Sequence, residues 1–228
     1  MQKGLTGNQL KLFAVIVMTI DHIGHILFPS VMWLRIIGRL AYPIFAYMIA
    51  EGCAHTRSMP RYFATMAGMA AVCQVVVYFV TGSLYQYILV TFTLSIGMIY
   101  LLKKAEETKN ALWWLLSAAG IGVVWLLTQW LPAKLTGTDF SIDYSFWGVM
   151  VPVLVWLGKN KGQKLLLEAA GLVLIAGNVN NIQTLALCSL PLLAMYNGQR
   201  GKWKLKYFFY LYFPAHIVAL EIIAYFMK

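Results

Sequence analysis

The sequence predicts an all-α integral membrane protein, a single multi-pass bundle of about nine transmembrane helices (range 8–10) with a cytoplasmic N-terminus. Three observations carry that expectation. The chain is 61% hydrophobic and only 11% charged, with a mean hydropathy of +0.70, against roughly 25% charged residues in soluble domains. Apolar stretches of about 20 residues, enough to cross hydrocarbon, follow one another almost end to end. The basic residues collect in alternate connections. A chain of 228 residues has no room left for a soluble domain, so residues 1–228 are expected to form one polytopic domain.

Polar breaks set the helices at about 10–28, 31–54, 60–80, 84–102, 111–131, 143–158, 163–177, 181–197 and 205–227. The first contains LFAVIVMTIDHIGHILF at 12–28, in which Asp21, His22 and His25 interrupt the apolar run. Those groups, and the lack of a small-residue cleavage pattern after them, argue against a cleaved signal peptide. The second, VMWLRIIGRLAYPIFAYMIAEGCA at 31–54, carries Arg35, Arg39 and Glu51. Its two-residue connection to the first makes the two helices antiparallel neighbours. Residues 62–80, 84–102 and 111–131 hold no charged side chain. The next three helices are short, and one pair of them is expected to be broken or re-entrant. Asp143 at the head of the sixth suits an N-cap. Pro43, Pro152, Pro191 and Pro214 mark bends whose freed carbonyls neighbours must satisfy. Trp113, Trp114, Trp125 and Trp130 suit interfaces or packing. Glu168 and Glu221 have no evident role. Cys53, Cys73 and Cys188 form no CxxC pair and suit packing positions. No internal repeat is visible.

With the N-terminus inside, the cytoplasmic segments hold Lys3, Lys11, Arg57, Arg61, Lys103, Lys104, Lys109, Lys159, Lys161, Lys164, Arg200, Lys202, Lys204 and Lys206, which is 14 of the 18 basic residues. Outside remain Lys134 and Lys228, and the C-terminus. That asymmetry follows the positive-inside rule and accounts for most of the net charge of +10. Nucleic acid is not an expected partner, because the cations are divided among short loops. Membrane lipids are, and the RGKWKLK run suits an anionic lipid surface.

A charged side chain in hydrocarbon costs roughly 2.5–3.5 kcal/mol even on the lenient insertion scale, so the ionisable groups of the first two helices face a bundle interior. At about 1.5 Å per residue, His22 and His216 lie about 16 Å from the cytoplasmic face and Arg39 about 13 Å from the other. In a core about 30 Å thick, Asp21, His22, Arg39 and His216 then share the midplane, and an Asp21–Arg39 contact offsets the burial of both charges. Taken singly, such a histidine commonly makes an interhelical hydrogen bond, and an Asp–Arg pair can simply pin two helices. Together they form a constellation suited to proton transfer, with histidine as the usual acceptor. His25 is one helical turn from Asp21, so helix geometry alone leaves open which histidine is the base. At the cytoplasmic end, Glu51, Arg57 and Arg61 suit either a solvated loop with a capping glutamate or a phosphate-binding mouth. No metal site is expected.

The segments LKLFAVIVMTIDHIGHILF, LRIIGRLAYPIFAYMIAEGCAHTR, FTLSIGMIYLL, DYSFWGVMVPVLVW, LPLLAMYNGQRG and KYFFYLYFPAHIVAL, in that order, resemble the TraX family of membrane proteins, named for the protein that N-acetylates F-type conjugative pilin. The resemblance runs from about residue 10 to residue 222. It implies kinship with multi-pass membrane acyltransferases in which an intramembrane histidine serves acyl transfer from cytosolic acetyl-CoA. Carried onto this chain, it makes His22 the family histidine, accompanied by Asp21, with Arg39, Tyr42 and Pro43 in the GRLAYPIF block, Glu51 and Arg57 in the EG…TR block, and His216 in the last. His25 falls outside the motif.

The expected function is therefore a membrane-embedded acyltransferase of the bacterial inner membrane. It would move an acetyl or similar short acyl group from acyl-CoA to a hydroxyl or amine of an acceptor, whether a peptide N-terminus, a glycan or a lipid. His22, Asp21, Arg39 and His216 are the expected catalytic residues, His22 as base or transient acyl carrier. Arg35, Tyr42, Glu51, Arg57, Arg61, Lys204 and Lys206 are the expected binding residues. A proton-coupled transporter also needs midplane charges, though many show an internal repeat, and a non-enzymatic scaffold would use the same cluster only to pack helices. Labelling of single engineered cysteines should find positions near 105 and 161 in the cytoplasm and positions near 83 and 137 outside. An outward 103–109 loop would invert the predicted orientation.

Overall fold

In the computed structural model, which describes residues 4–178, 181–202 and 205–227, the first helix, α1 (Gly7–Ile26), starts where the sequence supplies a cap. The Thr6 side chain accepts the Gln9 N–H while the Gln9 side chain accepts the Thr6 N–H, a reciprocal capping box. The described residues are about 80% helical, with no strand apart from isolated bridges at Leu5–Tyr196 and Gln86–Ile142. After α1 come α2 (Met32–Gly38), α3 (Ala41–His55), α4 (Met59–Thr81), α5 (Ile88–Thr108) and α6 (Ala111–Trp125). A π-helical turn, Leu126–Trp130, leads into α7 (Leu131–Lys134), followed by α8 (Ser145–Leu157) and α9 (Lys161–Asn178). A 3₁₀ stretch, Asn181–Ser189, then leads into α10 (Leu190–Ala194), and α11 (Lys206–Met227) closes the chain. Among the described residues, α1, α4, α5 and the run Ala111–Lys134 are long and apolar enough to cross a membrane. Ile16, Phe79, Leu115 and Leu166 project from these and other helices with their side chains exposed, an arrangement that suits lipid and would be costly in water.

The second predicted helix is two helices. Pro43 has no N–H to give the Arg39 carbonyl, and its ring collides with that carbonyl in a continuous helix. The break accordingly falls at Arg39–Leu40, where Arg39 N–H and Leu40 N–H turn back to Ile36 O and Ile37 O over three residues. The predicted 181–197 helix is also divided, its first part tightening to 3₁₀ and its α-helical part restarting with Pro191 in the first turn. Pro152 and Pro214 lie inside α8 and α11.

Chain contacts divide the protein into two units, residues 1–48 with 172–228, and residues 49–171. In the first, the N-terminal strap is held by the loop before α11: Leu5 N–H donates to Met195 O, Asn197 N–H to Leu5 O, and Gly7 N–H to Gln199 O. α1 and α2 are antiparallel, with Gly24 against Leu34 and Gly38 against Asp21. α1 and α11 run in the same direction, as the pairs Lys11–Phe209, Thr19–Tyr212 and His22–His216 require.

In the second unit the polar groups of the loops and helix ends satisfy one another. Pro132 cannot donate to Thr128 O, and that carbonyl accepts from the Ser145 hydroxyl at 3.1 Å instead. The Ser95 hydroxyl, fully buried, donates to Val149 O at 2.8 Å. Asp143 is not the predicted N-cap. Tyr144 takes that position with φ 58° and no side-chain cap, while Asp143 accepts the Tyr85 hydroxyl through Oδ1 and the Thr91 hydroxyl through its carbonyl. Its backbone N–H is held by Gln86 O, which turns the carboxylate toward the 82–87 loop. On the same loop, the Ser83 hydroxyl and Leu84 N–H hold the exposed Asp139 carboxyl below the usual range.

A Cβ at position 38 would overlap the Cβ and carboxylate of Asp21. Gly38→Ala should therefore lower stability by about 1–3 kcal/mol, as overpacked contacts do, and thermal unfolding in detergent measures it. Gly68→Ala, where no atom lies within 4 Å of the added methyl, is the control and should match the unaltered protein.

Candidate active site

The close approach at Gly38 places the Asp21 carboxylate against α2, and two guanidinium groups converge on it. Arg39 Nη2 donates to Oδ1 at 2.6 Å, and Arg35 Nη1 pairs with Oδ2 at 2.9 Å while also donating to the Asp21 carbonyl at 3.2 Å. The Asp21–Arg39 contact expected of antiparallel neighbours is thus present, and Arg35 joins it. The helix break positions Arg39. Because Arg39 N–H bonds Ile36 O, the Arg35 carbonyl is released from the helix ladder, and Arg39 Nε takes it at 3.0 Å. Arg39 is locked at both ends of its side chain and only 7% exposed, whereas the Arg35 side chain is 28% exposed. Charge-assisted pairs of this kind are the strong class of hydrogen bond.

His22 does not use Asp21. Its Nδ1 lies 2.9 Å from His216 Nε2, and His216 Nδ1 lies 2.9 Å from the Tyr212 carbonyl. A carbonyl oxygen only accepts, so His216 carries its proton on Nδ1. In a neutral His216 the Nε2 is then the acceptor, and His22 must donate from Nδ1. A neutral His22 is left with the lone pair of Nε2, to which no described residue donates. The orientation is held by packing: Tyr212 stacks on His216 with ring centroids 5.0 Å apart, and Phe213 meets both histidines edge-on. Tyr212 is itself fixed, its hydroxyl 2.7 Å from that of Thr19, which donates to Val15 O.

Of the other expected residues, Tyr42 is buried in the first turn of α3 and His25 is exposed on α1. In the second unit, Glu51 at the end of α3 is buried and paired with Lys164, with His55 alongside. Arg57 and Arg61 are exposed and in no ion pair among the described residues. Lys204 lies outside the described residues, as does the side chain of Lys206. Thr19 and Tyr212 were absent from the expected set, since a hydroxyl on an apolar helix has no distinguishing pattern until its partner is known. Glu168 is fully buried on α9, and its carboxyl oxygens have no hydrogen-bond partner among the described residues. Such burial is costly, and no feature of the second unit accounts for it. Among the described residues no cluster of His, Cys, Asp and Glu could hold a metal.

A family model described as TraX protein matches residues 6–224. The chain is 26% identical to a protein of Dichelobacter nodosus named "Probable fimbrial assembly protein FimC, serogroup H1", over 93% of each. It is 58% identical to "Uncharacterized protein RP591" of Rickettsia prowazekii (strain Madrid E) over 38 residues, 17% of this chain and 15% of that one. No solved structure matches.

Removing the carboxylate would leave two cations facing each other without a counter-ion. Breaking a buried pair in this way costs about 3–5 kcal/mol, so Asp21→Asn should unfold at a distinctly lower temperature. Partial restoration by a second change, Arg35→Gln, which removes the repulsion between the two cations but leaves Arg39 without its counter-ion, would identify charge rather than shape as the cause.

Proposed function

The chain belongs to the TraX family, and we propose from that premise that it is a membrane-embedded acyltransferase. It transfers an acetyl or similar short acyl group from cytosolic acyl-CoA to a hydroxyl or amine, in the bacterial inner membrane. The observation that supports this best is the relay from the Tyr212 carbonyl through His216 to His22, which leaves His22 Nε2 as a proton acceptor. In that reading the acceptor O–H or N–H gives its proton to Nε2 as its heteroatom attacks the thioester carbonyl. The C–S bond then breaks, and the thiolate takes the proton back from His22. While His22 is protonated, its charge is shared with His216, whose own N–H is held by a fixed carbonyl. His216 plays the part a carboxylate plays in a serine hydrolase triad, holding tautomer and ring orientation. Asp21 pairs with both arginines and offsets one of their two charges. Arg57 and Arg61, exposed and unpaired among the described residues, suit the donor's phosphates, whereas Lys164 already pairs with Glu51.

General-base catalysis contributes typically 10²–10⁴-fold. His22→Ala, purified in nanodiscs with acetyl-CoA, should lose that factor in release of CoA thiol while its unfolding temperature stays close to that of the unaltered protein. Unchanged turnover in this variant would remove His22 from the reaction. A loss of folding equal to the loss of turnover would favour a scaffold instead.

A further inference from the structure

The side chains of Asp21, Arg35 and Arg39 together carry a net charge of +1. In hydrocarbon an uncompensated cation is expensive, so its retention needs a reason, and the distribution of hydrogen bonds identifies where the surplus resides. Arg39 is spent: Nη2 is on Asp21, Nε is on the Arg35 carbonyl, and the side chain is almost closed off from the surface. Arg35 engages Asp21 through Nη1 alone. A guanidinium offers five N–H donors in a planar fork, and among the described residues none accepts from Nε or Nη2 of Arg35. Its side chain is four times as exposed as that of Arg39, 28% against 7%.

The surplus cation is beside the relay. Arg35 Nη1 holds the carbonyl of Asp21, the residue bonded to His22, and the Arg35 backbone nitrogen lies 3.5 Å from where a side chain on Gly24 would start. Arg35 thus runs along α1 at the level of residues 21–24, the turn that carries His22. Asp21 acts as a tether: it fixes one nitrogen of the fork, and Nε and Nη2 have no acceptor among the described residues.

We propose, resting on the acyl-transfer reading above, that Arg35 is the oxyanion donor of this site and that Asp21 and Arg39 position it. When the acceptor heteroatom bonds to the thioester carbon, the carbonyl π pair moves onto oxygen, and the free N–H groups of Arg35 receive that negative charge. The acceptor's proton is at that moment on His22 Nε2. On collapse the oxygen pair re-forms the carbonyl, the C–S bond breaks, and the proton passes from His22 to the departing sulfur. The clamp is then neutralised in the transition state and carries its unpaired charge only in the resting state. That is the differential binding that raises turnover rather than affinity.

The test uses the full chain in nanodiscs, with acetyl-CoA as the probe and CoA thiol release as the readout. Arg35→Gln leaves Asp21 and Arg39 as a one-to-one pair, so its unfolding temperature should hold. Its kcat should fall about 100-fold or more, the usual effect of losing an oxyanion donor, with KM for acetyl-CoA little changed. Arg35→Lys should recover part of kcat, and added guanidinium ion should partly restore Arg35→Ala. Arg39→Gln should lower the unfolding temperature more than Arg35→Gln does. Unaltered kcat in Arg35→Gln, or a loss that merely parallels unfolding and that neither lysine nor guanidinium repairs, would overturn the assignment and leave His22 untouched. No thiol release by the unaltered protein would instead defeat the transferase reading, and the oxyanion role with it.

Discussion

The Asp21 carboxylate, held by Arg39 on one oxygen and Arg35 on the other, is the interaction on which the polar interior of the first unit depends. Each arginine alone would carry an uncompensated charge into an apolar helix pair, and each needs the carboxylate within hydrogen-bond reach. That demand sets the spacing of α1 and α2, which only residues without a Cβ at 24 and 38 permit. It also depends on the helix break. Pro43 leaves the Arg39 carbonyl without its donor, the helix breaks there, and with Arg39 N–H turned to Ile36 O the Arg35 carbonyl becomes the acceptor that steers Arg39 Nε. A proline, two glycines and three ionisable groups thus form one mechanical arrangement rather than separate features.

The same arrangement explains why His22 takes its orienting partner from α11. The carboxylate next to it in sequence, Asp21, is held by two arginines, and the partner that fixes the imidazole tautomer is another imidazole backed by a carbonyl. In a medium that penalises ions this has a physical advantage. The resting relay is neutral, and no second carboxylate must be buried to hold it. When a proton arrives, two rings and a fixed carbonyl dipole share the charge.

In the second unit, beside the Glu51–Lys164 pair, hydroxyl groups satisfy buried carbonyls. Each proline in a helix leaves a carbonyl without its donor, and in hydrocarbon an unsatisfied carbonyl costs several kcal/mol. The Ser145 hydroxyl covers Thr128 O where Pro132 withholds an N–H, and the π-helical turn just upstream accommodates the change of register. Asp143, Tyr85 and Thr91 join the 82–87 loop to the start of α8 in the same manner. Glu168 breaks that pattern, a carboxyl fully enclosed with no hydrogen bond among the described residues.

The amino-acid sequence by itself determined the helical class, the family, and the approximate place of most helices, but not the division of 31–54 and 181–197 or the extension of the fourth predicted helix to Thr108. It also marked Asp21, His22, Arg39 and His216 as groups that must meet, because hydrophobic length and the cost of buried charge act on every residue locally. It did not disclose that the second helix breaks at Arg39, although Pro43 was visible, because a proline is compatible with a bend as well as a break. Nor did it distinguish Arg39 from Arg35, or disclose the contacts of Thr19 and Tyr212. Asp143, Ser83 and Tyr85 gave no sign that a loop, and not a helix end, would use the aspartate. Those outcomes belong to the tertiary structure. Which donor reaches which acceptor depends on the distance and rotation between helices, and these arise only when glycine contacts, ring stacking and ion pairs are satisfied together.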